Sequence, residues 1–222
     1  VTVTADESAL RQALCDVGRH LYERGHGAPG DGNLSVRLDA GTVLCTPTAS
    51  HKGRLRPEHI VAVDAVTGVP REPAQRASSE LRLHLALYRA RPEAGAIVHA
   101  HSPYATACSV AGLSLAEPVL PEAVFALSAP DGTVGCPTVP YALPTTEDVP
   151  AAVLAHARGA LAFVLERHGP VALGRTLDEA LARLEVVEHT ARITLLAHAA
   201  GGARPLPAEA VERLHAMALA AR

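Results

Sequence analysis

The chain has 222 residues, 48% hydrophobic and 19% charged, a balance that supports one folded domain over residues 1–222. A net charge of −3, no long basic run, 3% aromatics and no Trp argue against nucleic acid and anionic membrane as partners. No secretory segment and no apolar stretch of about 18 residues is visible, which points to the cytoplasm. The four cysteines, at 15, 45, 108 and 136, lack zinc-knuckle or redox spacing and read as small buried residues, although sequence leaves a disulfide open.

Leu10, Leu14, Val17 and Leu21 repeat at helical spacing, and Gly25 and Gly27 end that helix. Residues 27–32 form a glycine-rich turn cluster. Short apolar runs at 34–38, 43–45 and 60–63, parted by turn residues, read as an antiparallel meander. A helix begins near Ser78 or Ser79, buries Leu81, Leu85 and Tyr88, and stops at Pro92. A strand through Ala96-Ile97-Val98 reaches His99, and a helix follows from about Pro103 to Ala111. Residues 113–143 are proline-rich, and the pattern there assigns neither helix nor strand. A helix over 147–157 and a buried strand over 161–165 come next. Thr176 and Glu179 make a capping box for a helix running to about Gly201, and residues 208–222 are helical by composition. Hairpin strands first, then helices on both sides, predict a three-layer α/β/α fold.

Within a strand, residues i and i+2 share a face, so His99 and His101 can reach one point. With His168 they would offer a divalent metal three neutral nitrogens and leave one position open. Among 12 histidines an H-x-H also arises by chance, and Arg167-His168-Gly169-Pro170 reads equally as a surface turn. Glu80, at a helix start, is suited to moving protons, or is a first-turn residue beside a capping serine. Ser78 and Ser79 can meet an anion there or simply cap. The loop Thr46 to Gly53 is dense in hydroxyls, contains Lys52 and can hold a phosphate or carboxylate, but it is no Walker loop. Asn33 either donates to an anion or closes a turn.

Taken in order, Gly-Asn-Leu-Ser (32–35), Thr-Pro-Thr (46–48) with Lys-Gly-Arg-Leu (52–55), Ser-Ser-Glu (78–80), His-Ala-His-Ser (99–102) and Arg-His-Gly-Pro (167–170) resemble the class II aldolase/adducin family. The resemblance runs from about residue 8 to residue 200. It implies a central, largely antiparallel sheet, with zinc on His99, His101 and His168. Glu80 is implied as an acid/base residue that can also touch the metal. The phosphate of a small phosphorylated sugar or keto-acid substrate is implied among Asn33, Thr48, Ala49, Ser78 and Ser79. The implied assembly is a homotetramer. The implied activity is a zinc-dependent aldolase, L-fuculose-1-phosphate aldolase-like, acting on a short sugar phosphate through a metal-stabilised enediolate. Zinc is favoured by three imidazoles over Mn²⁺, Co²⁺ or Fe²⁺.

Sugar-phosphate 4-epimerase, methylthioribulose-phosphate dehydratase and decarboxylase share that opening chemistry. A non-catalytic adducin-like scaffold and an iron oxygenase are the readings from other classes. This chain departs from the aldolase pattern at Ala49, where glycine is usual, and in having no tyrosine after Tyr141. Glu122, in the middle loop, is either a second acid or a solvated side chain. Lys52 either adds positive charge to the anion loop, as in relatives with Lys-Gly there, or is solvated. Decarboxylase relatives tend to carry Ser-Lys-Glu at 78–80, which weighs against that reaction.

Overall fold

The computed structural model describes residues 6–221. Helix α1 (Glu7–Glu23) starts where the Asp6 carboxylate accepts from Ser8 N, and it buries Leu14, Val17 and Leu21. Strands β1 (Asn33–Arg37), β2 (Thr42–Cys45) and β3 (Val61–Asp64) form the expected antiparallel meander. Two short 3-10 turns, Lys52–Arg54 and Pro57–His59, lie between β2 and β3.

Helix α2 (Leu81–Ala90) starts later than the predicted Ser78 or Ser79, because Ser78 Oγ accepts from Glu80 N and the segment turns before it coils. Strand β4 (Ala96–His99) and helix α3 (Pro103–Val110) follow as expected. The proline-rich stretch contains two elements that periodicity did not disclose, helix α4 (Pro121–Leu127) and the two-residue strand β5 (Thr138–Val139).

Helix α5 (Asp148–His156) and strand β6 (Ala162–Leu165) match the reading. The turn expected at 167–170 leads straight into a further strand, β7 (Gly169–Gly174). In helix α6 (Leu177–Ala199), Thr176 Oγ1 accepts from Glu179 N as a cap. The returning half of the capping box differs, since Glu179 Oε2 accepts from Arg175 N. Helix α7 (Ala208–Ala220) closes the fold, and Arg222 lies outside the described residues.

The seven strands lie in the order β3-β2-β1-β4-β7-β6-β5, antiparallel except for the β5–β6 pair. Side chains alternate across this sheet. Ala96 and Val98 join Leu34, Val36 and Ala172 in a core covered by α1, α3 and α6. Ile97 joins Val43, Phe163 and Leu173 in a second core under α2 and α5. Two apolar layers on opposite faces of one sheet make the three-layer architecture. By the same alternation His99 falls on the α2 face, and the register sets Asn33 opposite His99 and His99 opposite Val171.

All four cysteines are free and buried. Among the described residues no helix is long and apolar enough to cross a membrane.

Candidate metal centre

The end of β4 carries His99, 1% exposed. A carbonyl only accepts, so the 2.9 Å contact between His99 Nδ1 and Pro170 O requires the proton on Nδ1. The lone pair is then on Nε2, which is buried and has no hydrogen-bond partner. His101 lies one step past the strand end, not within it, yet its ring centroid is 5.1 Å from that of His99. Its Nδ1 is 3.5 Å from Asp31 Oδ2, and its Nε2 is also buried without a partner. The turn before β7 brings His168 to within 4.8 Å of the His99 ring and 4.6 Å of the His101 ring.

Glu80 enters from the opposite layer, at the start of α2. Its Oε2 is 3.5 Å from His99 Nε2, and its Oε1 is 3.4 Å from His168 Nε2. One ligand atom from each of Glu80, His99, His101 and His168 lies within 4.8 Å of all the others. Burial first, then the neighbouring imidazoles, hold His99 well below the ordinary imidazole range, and burial likewise lowers His101. Neutral imidazoles with orphaned inward nitrogens beside a carboxylate are the donor set of a divalent transition metal, and the residues fit one.

Several contacts hold this arrangement. Asn33, across the register from His99, donates from Nδ2 to Glu80 Oε2 at 2.6 Å. One turn along α2, His84 Nδ1 is 2.7 Å from Ser35 Oγ, which is 2.9 Å from Tyr88 OH, so α2 is tied to β1 by a buried hydrogen-bond chain. Burial lowers His84 to about 3, keeping that chain neutral. Close approach also matters. Gly32 has φ +68° and Gly169 φ +151°, and a Cβ at either would run into backbone carbonyls beside the centre, at His99 and Ala100.

The expected phosphate contacts are brought together in part. Thr48 N donates to Arg76 O, Ser78 N donates to Thr46 O, and Pro47 bridges to Ala77, so the 46–50 loop lies alongside the 76–79 segment. Thr48 and Ala49 line an open cleft of about 550 Å³, and Ser78 and Ser79 line a neighbouring one of about 590 Å³. Gln75 and Arg76 line both. Asn33 faces inward to Glu80 instead. Glu122 stands exposed in the first turn of α4, outside the histidine cluster.

Asp31 and the Pro170 carbonyl orient two of the imidazoles and were not singled out in the sequence. The only signal for Asp31 is its place in the glycine-rich turn, and a backbone carbonyl leaves none.

Residues 12–195 match the family described as Class II Aldolase and Adducin N-terminal domain. The chain belongs to this family. Its class II aldolase relatives include 3-oxo-tetronate 4-phosphate decarboxylase of Escherichia coli K12, 35% identical over 196 residues, 86% of this chain and 88% of that protein. Methylthioribulose-1-phosphate dehydratase of Methylococcus capsulatus is 34% identical over 184 residues, 79% of this chain and 88% of that one. The solved structure of an L-fuculose 1-phosphate aldolase covers 98% of this chain and 99% of its own, with TM-score 0.86 and 27% identity. Family membership is therefore firm, while the relatives span three reactions.

Proposed function

We propose that the protein is a metal-dependent carbon–carbon lyase that generates the enediolate of dihydroxyacetone phosphate, with decarboxylation of 3-oxo-tetronate 4-phosphate as the first reading. The supporting observation is a single carboxylate, Glu80, set among three inward-facing imidazoles. That substrate has a carboxylate at C1 and a ketone at C3. When the C1–C2 bond breaks, its electron pair moves into the C2–C3 bond, the ketone π pair moves onto oxygen, and C1 leaves as CO₂. C2 then takes one proton, which one acid can deliver.

A divalent cation on His99, His101 and His168 would supply the Lewis acidity that draws negative charge onto the ketone oxygen, and three imidazoles favour Zn²⁺. Glu80 in its acid form gives the proton to C2 and regains one from solvent. Asn33 steers the carboxyl group through its 2.6 Å hydrogen bond. Thr48, Ala49, Ser78 and Ser79 are the proposed phosphate contacts, and binding there turns C2 toward Glu80. The reading takes residues 1–222 as one domain, working as a cytoplasmic homotetramer as the family resemblance implies.

Aldol cleavage of a ketose 1-phosphate is the second reading. It passes through the same enediolate and is favoured by the likeness to the L-fuculose 1-phosphate aldolase along nearly the whole chain. It also needs a base for the hydroxyl proton of the departing aldehyde, and the cluster offers one carboxylate. Likeness to a decarboxylase along 86% of the chain weighs more here than serine at position 79.

The test supplies zinc-loaded protein with 3-oxo-tetronate 4-phosphate or with L-fuculose 1-phosphate, and follows dihydroxyacetone phosphate and CO₂. The expected result is both products from the sugar acid, lost with chelator and regained with zinc. Glu80→Gln is expected to lower turnover by about 100-fold or more with bound metal unchanged. Cleavage of the ketose phosphate alone replaces the first reading with the second, and release from neither removes both.

A further inference from the structure

Nineteen of the chain's 20 basic residues are arginine, and Lys52 is its only lysine. A solvated cation can be either residue, so a surface role does not explain why one position keeps the ammonium. Lys52 is in fact buried, 6% exposed. Its Nζ donates to Ser50 O at 3.0 Å, Gly30 O at 3.4 Å and Ser50 Oγ at 3.5 Å, all neutral acceptors. No carboxylate among the described residues is within ion-pairing distance of it.

Lys52 lines a small pocket together with Asp31, Asn33 and His99. The pocket measures about 10 Å³, the space of one water molecule. Asn33 Oδ1 is buried and has no hydrogen-bond partner, whereas Asn33 Nδ2 is spent on Glu80. One amide thus has its donor on the acid/base carboxylate and a bare, buried acceptor, on a residue that lines the same pocket as Lys52.

We propose that Lys52 is a positioning residue for Glu80, acting through Asn33: the ammonium, by way of one water in that pocket, holds the amide oxygen and so keeps Nδ2 on the carboxylate. Without the cation the Asn33 amide is free to rotate about χ2, and its oxygen would then face the carboxylate. Burial pushes the Lys52 ammonium down to about 8, which leaves it mostly protonated near neutral pH. Lysine suits the position because its three donors sit on one atom at the end of a thin stem. The inference rests on Glu80 being the acid/base group of the proposed lyase.

Asn33 is the chain's only asparagine, so isotope-labelled asparagine gives one side-chain amide pair in an NMR spectrum. In the zinc-loaded protein that pair is expected as two well-separated signals with slow hydrogen exchange. In Lys52→Met and Lys52→Gln, each checked for folding by thermal melting, exchange of the pair is expected to quicken about tenfold or more. On the substrate that wild type turns over, both variants are expected to lose about tenfold in kcat with KM within about twofold. Lys52→Met combined with Asn33→Ala is expected to be no slower than Asn33→Ala alone, as one pathway requires.

An unaltered amide pair in a folded Lys52 variant overturns the proposal, as does multiplication of the two kinetic losses. If wild type turns over neither substrate, the proposed lyase falls. The amide measurement still decides whether Lys52 holds Asn33.

Discussion

Ala49 has φ +51°, in the left-handed region that favours glycine, the residue the aldolase resemblance leads one to expect there. A left-handed alanine costs on the order of 1 kcal/mol in the folded chain. Glycine in its place would relieve that strain but would give the unfolded chain more freedom to lose, roughly 0.4–1 kcal/mol. The two effects oppose each other at similar size. Ala49→Gly is therefore expected to leave the melting temperature within about 2 °C of wild type. The backbone of the loop already has the shape glycine would take, so the affinity for inorganic phosphate, read by calorimetry, is expected to stay within about twofold. Tightening by more than about tenfold would show that the methyl group crowds the anion. At this scale the histidines and Glu80 were legible because chemistry restricts which residue types can do the work. Asp31 beside His101 and the hydrogen bond from Asn33 to Glu80 were not, since a carboxylate in a turn or an amide at a strand start has many ordinary uses.

Among the elements, β7 matters most to the centre and was the hardest to see. It begins Gly169-Pro170 and ends Gly174, residues that punctuate loops far more often than they build a strand between two neighbours. What overrides local preference is pairing on both sides, Ile97 with Leu173 and Phe163 with Val171, which buries the whole strand. Helix α1 was legible from its apolar stripe at helical spacing, α2 from Leu81, Leu85 and Tyr88, and α6 from the capping pair Thr176 and Glu179. The two-residue β5 is too short to show a period. In α4, Pro121 stands at the first helical position and reads as a breaker when met in a proline-rich run. At Gly169 an added Cβ would collide with Ala100 O, between the segments that present His101 and His168. Gly169→Ala is expected to cost about 3 kcal/mol and to strip metal, because the strands must part just where the ligands converge. Thr176→Ala, which removes only the cap of α6, is expected to cost about 1 kcal/mol and leave metal content unchanged. Melting curves and elemental analysis on the pair separate the two effects, and full metal in Gly169→Ala would defeat the argument.

Across the whole molecule, alkaline pH sets two kinds of buried group against each other. Burial raises the Cys15 and Cys108 thiols to about 11 and Cys45 to about 12, and it raises Cys136 and Tyr88 as well. The unfolded chain gives up these protons first, near the ordinary thiol value of 9.0, so their share of stability is complete below that pH and drains away above it. Lys52 has the opposite sign. Its folded value of about 8 lies under the ordinary 10.5, so the folded chain loses that proton first and stability rises through the interval. Each unit of separation is about 1.4 kcal/mol per group, and four thiols outnumber one ammonium once the pH passes about 9. The melting temperature is expected to be nearly flat from pH 8 to about 9 and to fall clearly by about pH 10. In Lys52→Met the opposing gain is gone, and the decline should begin earlier. Melts of both proteins across that range check the sign, and a wild-type melting temperature still climbing at pH 10 would mean that the thiols are not held neutral by the core.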